Sequence, residues 1–292
     1  VLMTALPARV AGVAEVVLCV PPQPDGTVNQ PTLAAAALAG VSEVYRIGGA
    51  QAIGAMAYGT DTIRPVDVIV GPGNVYVALA QREVAAEGAV GVSSAFAGPS
   101  EVVVIADATT PVDWAAIDVI VQAEHGPDGL AWLITWDDAV ADAVSDAVAR
   151  LVAESPRQAE ITSTLAAGGY CAVVDGPKQA MEVANLIAPE HLELMCERPE
   201  SLLPLVRHAG AVFLGPHAPA SVGDYLAGPS HVLPTYGSAR FAGGLRVDDF
   251  LRHIHAIALD GDALAGVARS VAAIADAEGL AAHAESVRMR TR

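Results

Sequence analysis

Val66-Asp67-Val68-Ile69-Val70-Gly71-Pro72-Gly73-Asn74-Val75-Tyr76 reads as a short apolar strand, a glycine- and proline-rich turn, and the start of a helix running to about Ala86. Proline and glycine cannot prolong a strand ladder, and a helix that opens straight after them is the grammar of a β-α unit. The same order recurs upstream. An opening helix over Val1 to Val10 precedes a strand at Val16 to Val20, which Pro21-Pro22 ends. A polar loop then leads to a helix over residues 32–39, a strand at Val44 to Ile47, Gly48-Gly49, and a helix from Ala50 to Tyr58.

Downstream, a second block begins near Ala97-Gly98-Pro99-Ser100. Its strands are Glu101 to Ala106, Leu130 to Thr135, Tyr170 to Val174 and Ala211 to Leu214. Between them the pattern predicts helices from near Val112 to His125, from Asp138 to Ala153, near Arg157 to Leu165, and from Lys178 to Ile187. Alternating elements with continuous apolar strands predict mainly parallel sheets covered on both faces. Past about Asp248 only helices follow, at Asp262 to Asp276 and Gly279 to Arg288. The expected architecture is two mainly parallel-sheet, Rossmann-like α/β domains, the first incomplete, over 1–97 and 98–247, with a helical carboxyl-terminal segment over 248–292.

The chain has 292 residues, 53% hydrophobic and 17% charged, enough to bury two cores. Its formal charge of -17, with no basic cluster, argues against a nucleic-acid partner. Lys178 is the only lysine, which removes phosphate-cradling loops of the Walker type and leaves almost no candidate for Schiff-base chemistry. Cys19, Cys171 and Cys196 are scattered and never in C-x-x-C spacing, so neither a disulfide framework nor a thiolate zinc site is indicated. No apolar run approaches a membrane span, and no signal segment opens the chain. A cytoplasmic location is the expectation. Val1 is not an initiator residue, so the natural amino terminus is expected upstream of this sequence.

Several places have the residue types for chemistry. Gln122 and His125 are three apart at the end of a predicted helix, on one face, where they are either half of a metal site or a polar helix end. Gly71 to Asn74 offers backbone amides and a helix start to an anion, or is simply a tight turn. Pro189 suits a first helical turn, which would put Glu190 and His191 at a helix start, as bases near neutral pH or as capping residues. Asp224 and His231 lie seven apart in glycine-rich surroundings, and Glu278 and His283 flank Gly279 in the helical tail.

Taken together and in order, V-L-M-T-A-L-P-A-R-V-A-G-V, G-G-A-Q-A-I, G-P-G-N, A-G-P-S-E-V, Q-A-E-H-G-P-D, A-P-E-H-L-E-L, S-V-G-D-Y, H-V-L-P-T and E-G-L-A-A-H resemble the histidinol dehydrogenase family over essentially the whole chain. The resemblance implies zinc held by Gln122, His125, Asp224 and His283, and NAD contacted by Gln51 and Asn74. It implies substrate contacts from Ser100, Gln122, His125, His191, Asp224, His231, Glu278 and His283, with Glu190 and His191 as the acid/base pair. The implied reaction is the four-electron oxidation of L-histidinol through L-histidinal to L-histidine. The implied assembly is a homodimer in which the carboxyl-terminal segment of one subunit completes the other's site. Family chains begin well before the segment matching Val1, and the part upstream includes a tyrosine that contacts the dinucleotide. The competing expectations are a related dehydrogenase of another small alcohol, such as a sulfonated diol, and an inactive truncated chain. A zinc hydrolase would need H-E-x-x-H, which is not present.

Overall fold

Glu101–Ala106 is buried at every position and is the middle strand of a five-stranded parallel sheet. The computed structural model describes residues 1–93, 98–124, 126 and 128–292. It divides into two compact units, Val1–Leu251 and Arg252–Arg292.

Among the described residues the chain opens with α1 (Leu2–Val10), β1 (Val17–Cys19), α2 (Gln30–Leu38), β2 (Glu43–Tyr45), α3 (Gly49–Tyr58), β3 (Val68–Ile69), α4 (Val75–Ala86) and β4 (Gly91–Val92). It continues with β5 (Glu101–Ala106), α5 (Val112–Ala123), β6 (Leu130–Thr135), α6 (Asp138–Glu154), α7 (Gln158–Gly168), β7 (Gly169–Val173), α8 (Pro177–Ile187) and β8 (His191–Met195). Then come α9 (Pro199–Leu202), β9 (Ala211–Leu214) and α10 (Ala220–Tyr225), and in the second unit α11 (Gly261–Ala277) and α12 (Ala281–Arg288).

The large sheet has the order β7-β6-β5-β8-β9, all parallel. Both faces are covered. On one, Val102, Val104 and Ala106 pack with Ala115 and Val119 of α5 and Val144 of α6. On the other, Val103, Ile105, Leu192 and Leu194 meet Ala180, Met181 and Ala184 of α8. The continuous apolar strands follow from this, since no face is left for water. The expected α/β class with parallel sheets is the one the chain adopts.

Among the described residues of the amino-terminal part the strands are shorter and pair as β1-β2 and β3-β4, again parallel. Ile53, Ala57, Ile69, Val84 and Val90 form the core there. Proline limits these strands: Pro21-Pro22 stands just past β1, and Pro65 and Pro72 flank β3. The second unit is a helical pair whose α11 and α12 meet through Ala272, Ala275 and Ala284. No described helix is long and apolar enough to cross a membrane.

One local expectation is overturned. Pro189 does not open a helix. α8 ends at Ile187, Ala188 takes a left-handed conformation (φ 55), and the chain enters β8 at His191. The physical reason is lateral: residues 191–195 pair with β5 on one side and 191–194 with β9 on the other, so two ladders override local helix grammar. Glu190 and His191 therefore sit at the start of a buried strand, without a helix dipole behind them.

Candidate active site

The sheet presents the amino-terminal ends of its strands to the site. Ser100, Gly129 and Glu190 immediately precede β5, β6 and β8. At the same edge α5, α7 and α8 end. A cavity of about 740 Å³ opens there, with Ser100, Gly129 and Tyr236 on one wall. Gly73, Asn74 and Val75, at the amino end of α4, form another.

Glu190 is 7% exposed. Its Oε2 accepts the Glu101 backbone N–H at 3.2 Å, and Ser100 also hydrogen-bonds the carboxylate. Burial pushes its carboxyl up to about 7, against the opposing pull of those hydrogen bonds. A carboxyl poised there can take or give a proton near neutral pH.

His191 is held from both sides. Its Nδ1 lies 2.9 Å from the Glu101 carbonyl oxygen, which can only accept, so Nδ1 carries the proton and donates. Nε2 is then the basic nitrogen. It meets His231 Nε2 at 2.6 Å, which places the shared proton on His231. His231 Nε2 is also 3.2 Å from Asp224 Oδ1. Burial lowers the pKa of His231 more than the Asp224 carboxylate raises it. Gly223 makes this arrangement possible: a Cβ there would come within 2.7 Å of both His231 Cε1 and Phe213 Cζ. The S-V-G-D-Y motif thus supplies the carboxylate and the clearance for the imidazole together.

A buried acid pair lies beneath. Glu193, two residues along β8 from His191, and Asp118 of α5 are both raised by burial first. The neighbouring Asp118 carboxyl adds to the upward push on Glu193. Glu193 Oε1 accepts the Ala220 N–H at 2.7 Å at the first residue of α10, the helix that carries Asp224. The pair joins the elements bearing Gln122, His191 and Asp224.

Glu190, His191, Asp224, His231 and Ser100 are therefore brought together. Gln122 lies at the end of α5, 3% exposed, and its backbone carbonyl borders Gly129 of the cavity. His125 lies outside the described residues. Glu278 caps the end of α11 and His283 is in the first turn of α12, both exposed on the second unit. Asn74 already caps α4, its Oδ1 accepting from Tyr76 N and Val77 N at 3.1 Å each. Gln51 is the third residue of α3, exposed, its amide folded over Gly49.

Two observations bear on a metal. Gln122 Nε2 is buried with no hydrogen-bond partner among the described residues, and an amide's two ends are interchangeable by rotation. A buried amide with an unmet end fits a cation that its oxygen would ligate. The donor atoms of His191, Asp224 and His231 lie within 4.8 Å of one another, a nitrogen and oxygen set suited to zinc. This cluster overlaps the ligand set implied by resemblance only at Asp224. In this arrangement His191 meets His231 and the Glu101 carbonyl, and Asp224 meets His231.

Reading the sequence missed Glu101, Asp118, Glu193 and Tyr236. A signal existed for two of them: a glutamate inside an apolar strand, as in E-V-V-V-I-A or H-L-E-L-M, has to find a proton or a partner when buried.

The family model described as "Histidinol dehydrogenase" matches residues 1–291. Histidinol dehydrogenase of Synechococcus sp. is 51% identical over 290 residues, covering 99% of this chain and 66% of that protein. The protein of the same name from Gluconobacter oxydans is 50% identical, with the same coverage. The crystal structure of histidinol dehydrogenase from Elizabethkingia anophelis superposes with a TM-score of 0.93 at 37% identity, over 99% of this chain and 66% of that one. The chain thus spans just under two thirds of the length of these relatives. Matched along nearly its whole length, the chain belongs to the histidinol dehydrogenase family.

Proposed function

We propose that this chain carries out the zinc-dependent, NAD-linked oxidation of L-histidinol through L-histidinal to L-histidine. The observation that carries the reading is the Glu190–His191 pair: one carboxyl at about 7, and one imidazole whose Nδ1 proton is committed to the Glu101 carbonyl, leaving Nε2 as a base.

In the first step His191 Nε2 takes the hydroxyl proton while the carbinol carbon loses hydride, giving the aldehyde. In the second Glu190 takes a proton from water as its oxygen attacks the aldehyde, and the resulting diol loses a second hydride to give the carboxylate. His231, hydrogen-bonded to His191, holds the proton that the substrate hydroxyl would replace. Ser100 and the Glu101 amide hold the Glu190 carboxylate in place. Gln122, His125 and Asp224 with His283 would hold zinc, which would supply orientation of the substrate. NAD would supply the hydride acceptor, one molecule per step, and Gln51, Asn74 and the amino end of α4 would hold it.

The active form is a homodimer, with Glu278 and His283 provided by a second copy. Three cysteines free of disulfides accord with a reducing cytoplasm. The test is NADH formed per L-histidinol consumed by zinc-loaded protein. Two NADH, abolished by a chelator, is expected. One NADH would restrict the reaction to the alcohol step, and none would overturn the reading for this chain.

A further inference from the structure

Glu101 touches every part of the acid/base pair, yet no step above uses its side chain. Its amide donates to Glu190 and its carbonyl accepts from His191, so the position of this one peptide segment sets both. The side chain is 3% exposed at the head of an otherwise apolar strand. Backbone N–H groups of Gly237, Tyr236 and Glu190 face its carboxylate, while Oε2 keeps no hydrogen bond among the described residues. A buried carboxylate so incompletely met is a poor way to stabilise a strand.

The amides it faces belong to an unusual turn. Tyr236 (φ 56) and Gly237 (φ 70) are successive left-handed residues, and Ser238 N–H closes the turn on the Thr235 carbonyl at 3.1 Å. That is the geometry of a type I′ turn, in which tyrosine is unfavourable at the first central position. Thr235 Oγ1 ties the turn to Gly98 N at 2.6 Å, and Tyr236 itself lines the cavity. A strained residue that persists at a cavity wall needs something that over-determines it.

We propose that Glu101 is a positioning residue: its carboxylate grips the Tyr236–Gly237 turn and the Glu190 amide, and so fixes the peptide segment that orients Glu190 and His191. The inference rests on the proposed roles of those two residues, and its test needs no turnover. Ring nitrogen signals of His191 and amide exchange at Tyr236, Gly237 and Glu190 are measured by NMR on the full chain, beside the melting temperature.

In Glu101→Ala, the turn amides are expected to exchange about tenfold faster or more, the equivalent of losing one charged acceptor. The His191 ring is expected to shift from a single Nδ1–H tautomer toward an exchanging pair. Glu101→Gln, which keeps a carbonyl acceptor, restores at least half of both effects. Unchanged signals in Glu101→Ala would overturn the proposal. So would a disturbed ring beside fully protected turn amides, or a Gln variant no better than Ala. Absence of NADH formation by the unsubstituted protein, with its His191 ring held in the single Nδ1–H tautomer, would count against the proposed reaction alone.

Discussion

Residues 68–86 and residues 98–195 use the same β-α grammar but turn opposite ends of it toward the cavity. In the first, the chain arrives from the end of β3 and leaves through the amino end of α4, so a positive pole faces inward. In the second, β5 and β6 begin at the cavity while α7 finishes there, so a negative pole faces inward. One wall favours an anion and the other a cation. A parallel α/β fold therefore does not say by itself where a ligand's charges go; the end that is exposed decides.

The comparison can be broken most sharply at Glu190. Glu190→Gln is expected to lower turnover about 10²- to 10⁴-fold, measured as NADH formation. It should also stabilise the protein in alkaline buffer. Because the folded value of about 7 lies above the ordinary 4.5, the folded state holds this proton more tightly than the unfolded chain. Stability is thus lost as pH rises from 4.5 to 7 and stays lower above. Removing the charge recovers about 3 kcal/mol at pH 8 and little at pH 4, visible in melting curves at the two values.

Next in size, Asp224→Ala should weaken zinc binding about 100-fold or more by calorimetry, while leaving dinucleotide affinity within about twofold. The converse is expected of Gly73→Ala. A Cβ at Gly73 would lie 2.4 Å from Val77 Cβ, so the turn must move off α4. Dinucleotide affinity should fall about tenfold in a fluorescence titration, with zinc binding retained. If either substitution disturbs both ligands equally, the two walls are not independent. The smallest effect on turnover is expected from Glu193→Gln, which keeps an acceptor for Ala220 N–H. Because burial raises the folded pKa of Glu193, its stabilisation should grow as pH rises above 4.5, read from melting curves across that range.

Much of the large sheet was legible. The strands over 101–106, 130–135 and 211–214 were bounded correctly, because long apolar runs between turn residues leave no alternative at either end. β8 was not legible: H-L-E-L-M follows a proline, and only its two neighbours in the sheet make it a strand. β4, two residues long, carries too little pattern to read. At the site, residue types were legible but juxtaposition was not. Asp224 and His231 stood out seven apart, yet nothing local says that the imidazole reaches His191 across forty residues of chain. Glu101 and Glu193 look like ordinary strand residues until their burial is known.

The two raised carboxyls along β8 have a bearing on protein engineering. A screen that ranked variants by survival on heating in neutral or alkaline buffer would reward the amide at either position, because each removes a buried negative charge. At Glu193 such a choice is expected to leave the chemistry standing. At Glu190 it would enrich a well-folded protein that can no longer move a proton, so heat resistance and turnover have to be selected together.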